Sequence, residues 1–276
     1  MAAVVRADSD GAPAGLLLPG ELVLLIDNRD RRYLVRLVAG GEFHTHGGVI
    51  PHDTMIGSPE GSEFRSAKGV RYVAWRPTLA EFILHMPRGA QVIYPKDLGA
   101  ILMRADIFPG ARVFESGLGS GALSMTLLRA GAHVTGCELR EDFLARARNN
   151  VESFLGPEAL ANYDTHLGNA YESIEGSGYD RVVLDLPEPW QVVRHAARAL
   201  RPGGLFLAYT PSVVQVVTLR NALADAGYLG AETVEILQRE WHVEDPAVRP
   251  NHRMQGHTGF LTHARLPGRV ADPPLA

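Results

Sequence analysis

A chain of 276 residues with a formal net charge of −4 can bury a substantial core and has room for one large domain and a smaller one. It holds no run of about 18 apolar residues able to span a bilayer. Residues 1–15 lack the basic start and apolar stretch of a secretory signal, so no membrane partner and a cytoplasmic location are expected. The acidic balance gives no general pull on nucleic acid. Lys68 and Lys96 are the only lysines among many arginines, a bias that a GC-rich genome explains more simply than selection for phosphate recognition.

In chain order, residues 1–15 read as a flexible Ala/Gly/Asp-rich leader. Residues 16–76 read as a small N-terminal all-β domain, a barrel or compact meander. The apolar run from Leu22 to Ile26 meets a polar turn at Asp27 to Asp30, strand character resumes from Tyr33 to Val38, and Gly40-Gly41 breaks it. A helical period over 78–86, stopped by Pro87-Arg88-Gly89, marks a linker helix within 77–90. From 91 to 266 apolar strands alternate with amphipathic helices. Helices are expected at 97–105, 121–130, 141–154, 191–200 and 213–226. Strands are expected at 111–115, 133–138, 179–186 and 204–209, and two more at 232–238 and 258–265 finish on hairpin-like spacing. The fold class is α/β, a Rossmann-like doubly wound sheet with ligands at the C-terminal strand ends. Residues 267–276 are expected to form a disordered tail.

The chemistry concentrates at the strand ends. Gly117, Gly119 and Gly121 recur at every second position after an apolar strand, a turn that lets backbone approach a ligand and aims a helix N-terminus at it. The spacing is G-x-G-x-G, not the G-x-G-x-x-G of the dinucleotide fingerprint. Glu138 closes the next strand about 20 residues on, placed to accept the ribose hydroxyls of an adenosine. Asp185 closes the strand expected at 179–186, before Pro187 and Pro189, which argue against a simple helix cap and for a carboxylate facing the pocket. Cys137 is the single cysteine and reads as a small apolar filler. His44, His46 and His52 are spaced by glycine and proline and read as loop decoration, so no metal is expected. Arg239, Trp241, Arg249, His252 and Arg253 form a basic-aromatic stretch that suits either RNA contact or a solvated loop.

Four strings together carry a family resemblance: ESGLGSGALS at 115–124, IYPKD at 93–97, DLPEPW at 185–190 and HTGFL at 257–261. The chain resembles the tRNA adenine-58 N1-methyltransferases over nearly its whole length. The resemblance implies S-adenosylmethionine as cofactor, a β-barrel-like N-terminal domain on a Rossmann-like catalytic domain, tRNA as substrate, and a homotetramer that needs no second subunit. For the cofactor it implies Gly117, Leu118, Gly119, Ser120 and Gly121 near the methionine portion and Glu138 on the ribose. Phe143 would pack on the adenine, Asn169 and Ala170 would line its edge, and Gln91 and Asp185 would lie beside the cofactor. Asn169 stands where relatives often carry aspartate; an amide both donates and accepts, so adenine recognition survives the change. Asp185 and Tyr94 are the expected catalytic pair. Tyr209, Arg249, Arg253 and His257 are the expected RNA contacts. The alternatives are a methyltransferase for protein carboxylates or small molecules, an NAD(P)-dependent oxidoreductase, and a non-catalytic tRNA-binding subunit.

Overall fold

Short strands with apolar residues on one side need a partner face, and the N-terminal region supplies it by antiparallel pairing. The structure, a computed structural model, describes residues 15–89 and 91–268. The expected leader up to residue 14 and the tail from 269 onward lie outside the described residues. Two compact units divide at Pro87/Arg88, with Glu152–Pro157 grouping with the first.

In the first unit, strands β1 (Leu22–Asp27), β2 (Arg32–Arg36), β3 (Glu42–Thr45), β4 (Gly48–Pro51), β5 (Glu63–Arg65) and β6 (Arg71–Trp75) form a four-stranded sheet, ordered β2-β1-β6-β5, and a separate β3–β4 hairpin. Asp27 closes the first turn by accepting from the amides of Arg29 and Arg31 at 2.8 and 3.0 Å. Leu17, Val23, Leu25, Leu37, Ile50, Met55, Tyr72 and Ala74 make the core. Helix α1 (Leu79–His85) starts at a capping box in which Thr78 and Glu81 satisfy each other's backbone amides. His44 pairs with Glu42, while buried His52 accepts the Val38 amide. Among the described residues no group of three or more His, Cys, Asp or Glu side chains is placed to hold a metal.

The second unit alternates helices and strands: α2 (Pro95–Arg104), β7 (Arg112–Ser116), α3 (Ala122–Arg129), β8 (His133–Glu138), α4 (Glu141–Leu155, its last turn in the first unit), β9 (Tyr163–Leu167), β10 (Tyr179–Leu184), α5 (Val193–Ala199), β11 (Leu200–Thr210), α6 (Val213–Asp225) and β12 (Leu229–Glu235). A hairpin of β13 (Trp241–Glu244) and β14 (Ala247–Pro250) precedes the last strand, β15 (Phe260–Arg265). The seven-stranded sheet is ordered β12-β15-β11-β10-β7-β8-β9. β7 to β11 run parallel, and β15 lies antiparallel between β11 and β12. The chain moves outward from β7 in one direction through β8 and β9, and in the other through β10 and β11. The crevice at the C-terminal ends of β7 and β10 is therefore the switch point where open α/β sheets take ligands. Among the described residues no helix is long and apolar enough to cross a membrane.

Departures from the sequence expectations have local causes. Pro95 opens α2 two residues early, because its fixed φ suits the first helical position and its missing amide costs nothing there. The helix expected at 191–200 is a 3-10 turn, Pro189–Gln191, followed by the shorter α5. Two paired regions had no assigned range: β9, whose sequence YDTHL has no apolar run, and the β13–β14 hairpin.

Candidate active site

β7 and β10 are welded where they end. The amide of Asp185 donates to the Ser116 carbonyl at 3.0 Å. Gly117 has φ +87°, and a Cβ there would lie 2.0 Å from the Asp185 carbonyl oxygen, so no other residue fits. Gly119, at φ +52°, faces open space: nothing lies within 4 Å of the Cβ position. Gly121 is the N-cap of α3 and offers no side chain to its first amides. Leu118 is buried beneath the loop against Gly136. Ser120 is buried, its hydroxyl without a hydrogen-bond partner among the described residues.

Three acids converge under this loop. Glu138 accepts the Gly119 amide at 3.3 Å and the Arg140 amide at 3.1 Å, which aims its carboxylate and leaves lone pairs for further donors. Half-buried Asp185 has a carboxyl pushed up to about 7, first by burial and then by the Glu138 charge. Glu115, the first residue of the ESGLGSGALS string and without an expected role, is fully buried at the end of β7. One of its oxygens accepts the Ser124 hydroxyl at 2.9 Å, which in turn accepts the Tyr163 hydroxyl at 2.9 Å. The other oxygen has no partner among the described residues. Burial pushes this carboxyl up to about 8, with the Ser124 hydrogen bond opposing and Asp185 and Glu138 adding to the rise.

Such a cluster favours a cation, because each acid would ionise more readily beside one. S-adenosylmethionine carries both a sulfonium and an ammonium, so the residues present fit it. The signal for Glu115 was available in sequence: it is the one acid inside an apolar strand that runs straight into the glycines.

The second half of the crevice is aromatic. Tyr94 is the N-cap of α2 and Tyr209 lies next to the end of β11. The Tyr209 phenol is pushed up to about 12 by burial, with Asp97, Asp185 and the Tyr94 phenol adding to the rise while its hydrogen bond to the Thr258 carbonyl opposes it. Tyr209 thus lies within reach of the charges of both Asp97 and Asp185.

The remaining expected residues are placed as follows. Phe143 lies on α4 with the Arg140 guanidinium 3.9 Å above its ring. Ala170 is buried in the core cluster with Cys137, whose thiol burial pushes up to about 11. Asn169 holds its own turn, accepting the Tyr171 amide at 3.1 Å and donating to Glu172 at 2.9 Å. Gln91 is exposed ahead of α2. Arg249 sits on β14, Arg253 is exposed just beyond it, and His257 bridges Glu235 at 2.6 Å and the Pro211 carbonyl at 2.7 Å.

Comparison with known proteins agrees with this geometry. The family model described as tRNA methyltransferase complex GCD14 subunit matches residues 71–249, and that described as TrmI-like N-terminal matches residues 15–63. The chain is 40% identical over 251 residues to the tRNA (adenine(58)-N(1))-methyltransferase TrmI of Thermus thermophilus, covering 90% of this chain and 97% of that one. A SAM-dependent O-methyltransferase from Thermotoga maritima matches in structure with a TM-score of 0.88 at 29% identity, covering 95% of this chain and 98% of the other. The tRNA (m1A58) methyltransferase TrmI from Aquifex aeolicus matches with a TM-score of 0.78 at 28% identity, covering 91% and 98% respectively. Similarity sustained over nearly the whole of both chains, on a site built for a cationic methyl donor, leads to one conclusion: the chain belongs to the tRNA (adenine-58-N1)-methyltransferase family, enzymes dependent on S-adenosylmethionine.

Proposed function

We infer that this chain transfers a methyl group from S-adenosylmethionine to N1 of adenine 58 in the T-loop of tRNA. The observation that carries this reading is Asp185 at the switch between β7 and β10, its amide held by the Ser116 carbonyl beside the glycine loop and its carboxylate between the charge of Glu138 and the phenol of Tyr209. The bound cofactor supplies a methyl group made electrophilic by its positive sulfur. N1 of neutral adenine already holds the lone pair that takes this group, so no residue has to remove a proton first. Asp185, when ionised, accepts a hydrogen bond from the adenine N6 amino group and stabilises the positive charge that develops on the base. A base inside folded RNA must leave its stack to reach this crevice. Tyr94 and Tyr209 replace the lost stacking and hold N1 in line with the methyl group.

The backbone from Gly117 to Gly121 cradles the methionine portion and Glu138 takes the ribose hydroxyls. Phe143 packs on the cofactor adenine, with Ala170 and Asn169 along its edge and Gln91 beside it. Asn169 does so with the lone pair and N–H that its own turn does not use. Arg249, Arg253 and His257 meet the RNA backbone. Exposed apolar side chains on and beside the hairpin, Leu237, Trp241, Val243 and Val248, support a homotetramer in which they are covered. The chain acts without a second kind of subunit, in the cytoplasm.

Mass spectrometry of unmodified tRNA incubated with the protein and labelled cofactor, with the labelled nucleoside mapped, tests the reading. Label on N1 of adenine 58 is expected; label at another nucleoside refutes the substrate assignment.

A further inference from the structure

Two of the strings that mark this family, IYPKD and HTGFL, lie about 160 residues apart in sequence and meet in one buried hydrogen-bonded knot, the contact from Lys96 to Thr258 spanning 162 positions. The Asp97 side chain is fully buried and that of Lys96 is 7% exposed. The Lys96 ammonium reaches both Asp97 oxygens at 2.9 and 3.1 Å, the Thr258 hydroxyl at 2.6 Å and the Ile236 carbonyl at 2.7 Å. Its three N–H groups therefore have three acceptor groups. The Thr258 hydroxyl donates onward to Asp97 at 2.7 Å.

Each end of this knot is one step from a crevice tyrosine. Asp97 and Leu98 donate their amides to the Tyr94 carbonyl at 2.9 and 3.0 Å, so a fixed Asp97 holds the Tyr94 backbone at the start of α2. The Thr258 carbonyl accepts the Tyr209 hydroxyl. A Cβ on Gly259 would lie 2.4 Å from the Tyr209 ring, so glycine there lets the ring lie flat against the chain. The far end of α2 is held as well: buried Arg181 donates to the Ala105 carbonyl and to the Asp106 carbonyl and carboxylate. A buried ion pair is weak evidence for stability, since desolvation offsets most of its Coulomb energy. What such a pair supplies when every donor is matched is one geometry.

We propose that Thr258, with Lys96 and Asp97, is a positioning residue that sets Tyr94 and Tyr209 relative to each other for the acceptor base. The proposal rests on the acceptor role given above to the two tyrosines. The Thr258 hydroxyl is the only atom of the knot that both accepts from Lys96 and donates to Asp97, and valine replaces it at nearly constant shape. Thr258→Val should lower kcat for tRNA methylation by about ten- to a hundredfold, the scale on which misplaced reacting groups act. S-adenosylhomocysteine affinity by calorimetry should stay within about twofold, since the knot lies outside the cofactor cradle. Thr258→Ser should restore most of the rate. If Thr258 works through Tyr209, the effects of Thr258→Val and Tyr209→Phe on kcat/KM should be non-additive in a double-mutant cycle.

Unchanged kcat in Thr258→Val overturns the proposal, as does additivity in the cycle. Parallel loss of S-adenosylhomocysteine binding also overturns it, by showing general structural support. Because variant and wild type are compared on whichever nucleoside the wild type labels, failure of the substrate assignment stays separate from failure of this one.

Discussion

Two buried polar clusters lie in the catalytic unit, and they are built in opposite ways. Under the glycine loop, Glu115, Glu138 and Asp185 crowd like charges together, one Glu115 oxygen has no partner among the described residues, and two carboxyls are pushed up to about 8 and about 7. Around Lys96, Asp97 and Thr258, opposite charges meet and the ammonium finds an acceptor group for each donor. Burying a polar group without a partner costs free energy, so the first cluster is held at a cost that protonation of its acids or a bound cation would lower. The second is complete without one. The contrast sets a cluster left open to further partners against one that is closed on itself.

The largest effect expected on the unsatisfied side is from Asp185→Ala. Turnover should fall by at least about two orders of magnitude, because charge stabilisation in the transition state is lost, while S-adenosylhomocysteine still binds. Near-wild-type turnover would dissolve the distinction between the clusters.

A smaller effect concerns protons. Carboxyls whose folded pKa lies above the unfolded value favour the folded protein at low pH, and that contribution is lost as pH rises. Glu115 and Asp185, raised from ordinary carboxylate values to about 8 and about 7, should therefore make the ligand-free Tm fall from about pH 5 to about pH 8. Glu115→Gln should flatten the fall, and the cationic cofactor should reduce it by favouring the ionised acids. A Tm that rises over this range would mean that the acids are not crowded as described.

The smallest effect lies at His257, where both ring nitrogens face acceptors, Glu235 and the Pro211 carbonyl. Only the doubly protonated ring can donate to both. Its pKa is raised, first by the Glu235 carboxylate and then by the Pro211 carbonyl, with burial and Lys96 opposing. The contact is thus fully present below the ordinary histidine value and lost as pH rises through the raised one. An NMR titration should find this ring titrating above an ordinary histidine and returning towards it in Glu235→Gln. No difference between the two proteins would refute the bridge.

What could be read in advance follows the same physics. The glycines, Glu138 and Asp185 were legible because each punctuates an apolar strand, and strand ends in this architecture share one edge. β9 was not: at the rim of the sheet its residues need only pair on one side, so YDTHL carries no hydrophobic run. The β13–β14 hairpin escaped for a related reason, since its strands pair only with each other. Lys96 left a faint trace as one of two lysines in an arginine-rich chain. Its compact ammonium meets three acceptor groups from a single atom. Partnerships at a distance, such as Lys96 with Thr258, leave no mark in local pattern at all.

The reversal of β15 has one more consequence. Parallel strands all finish on the same side of a sheet, so a chain that must return there normally needs a crossover. A strand running the other way begins on that side. Residues 236–259 therefore leave from the end of β12 and return at the start of β15 without crossing the sheet. The segment is an excursion mounted on the rim of the catalytic crevice. Its middle can change length or surface without disturbing the seven-stranded sheet, while its two ends, Ile236 and Thr258, stay fixed by Lys96.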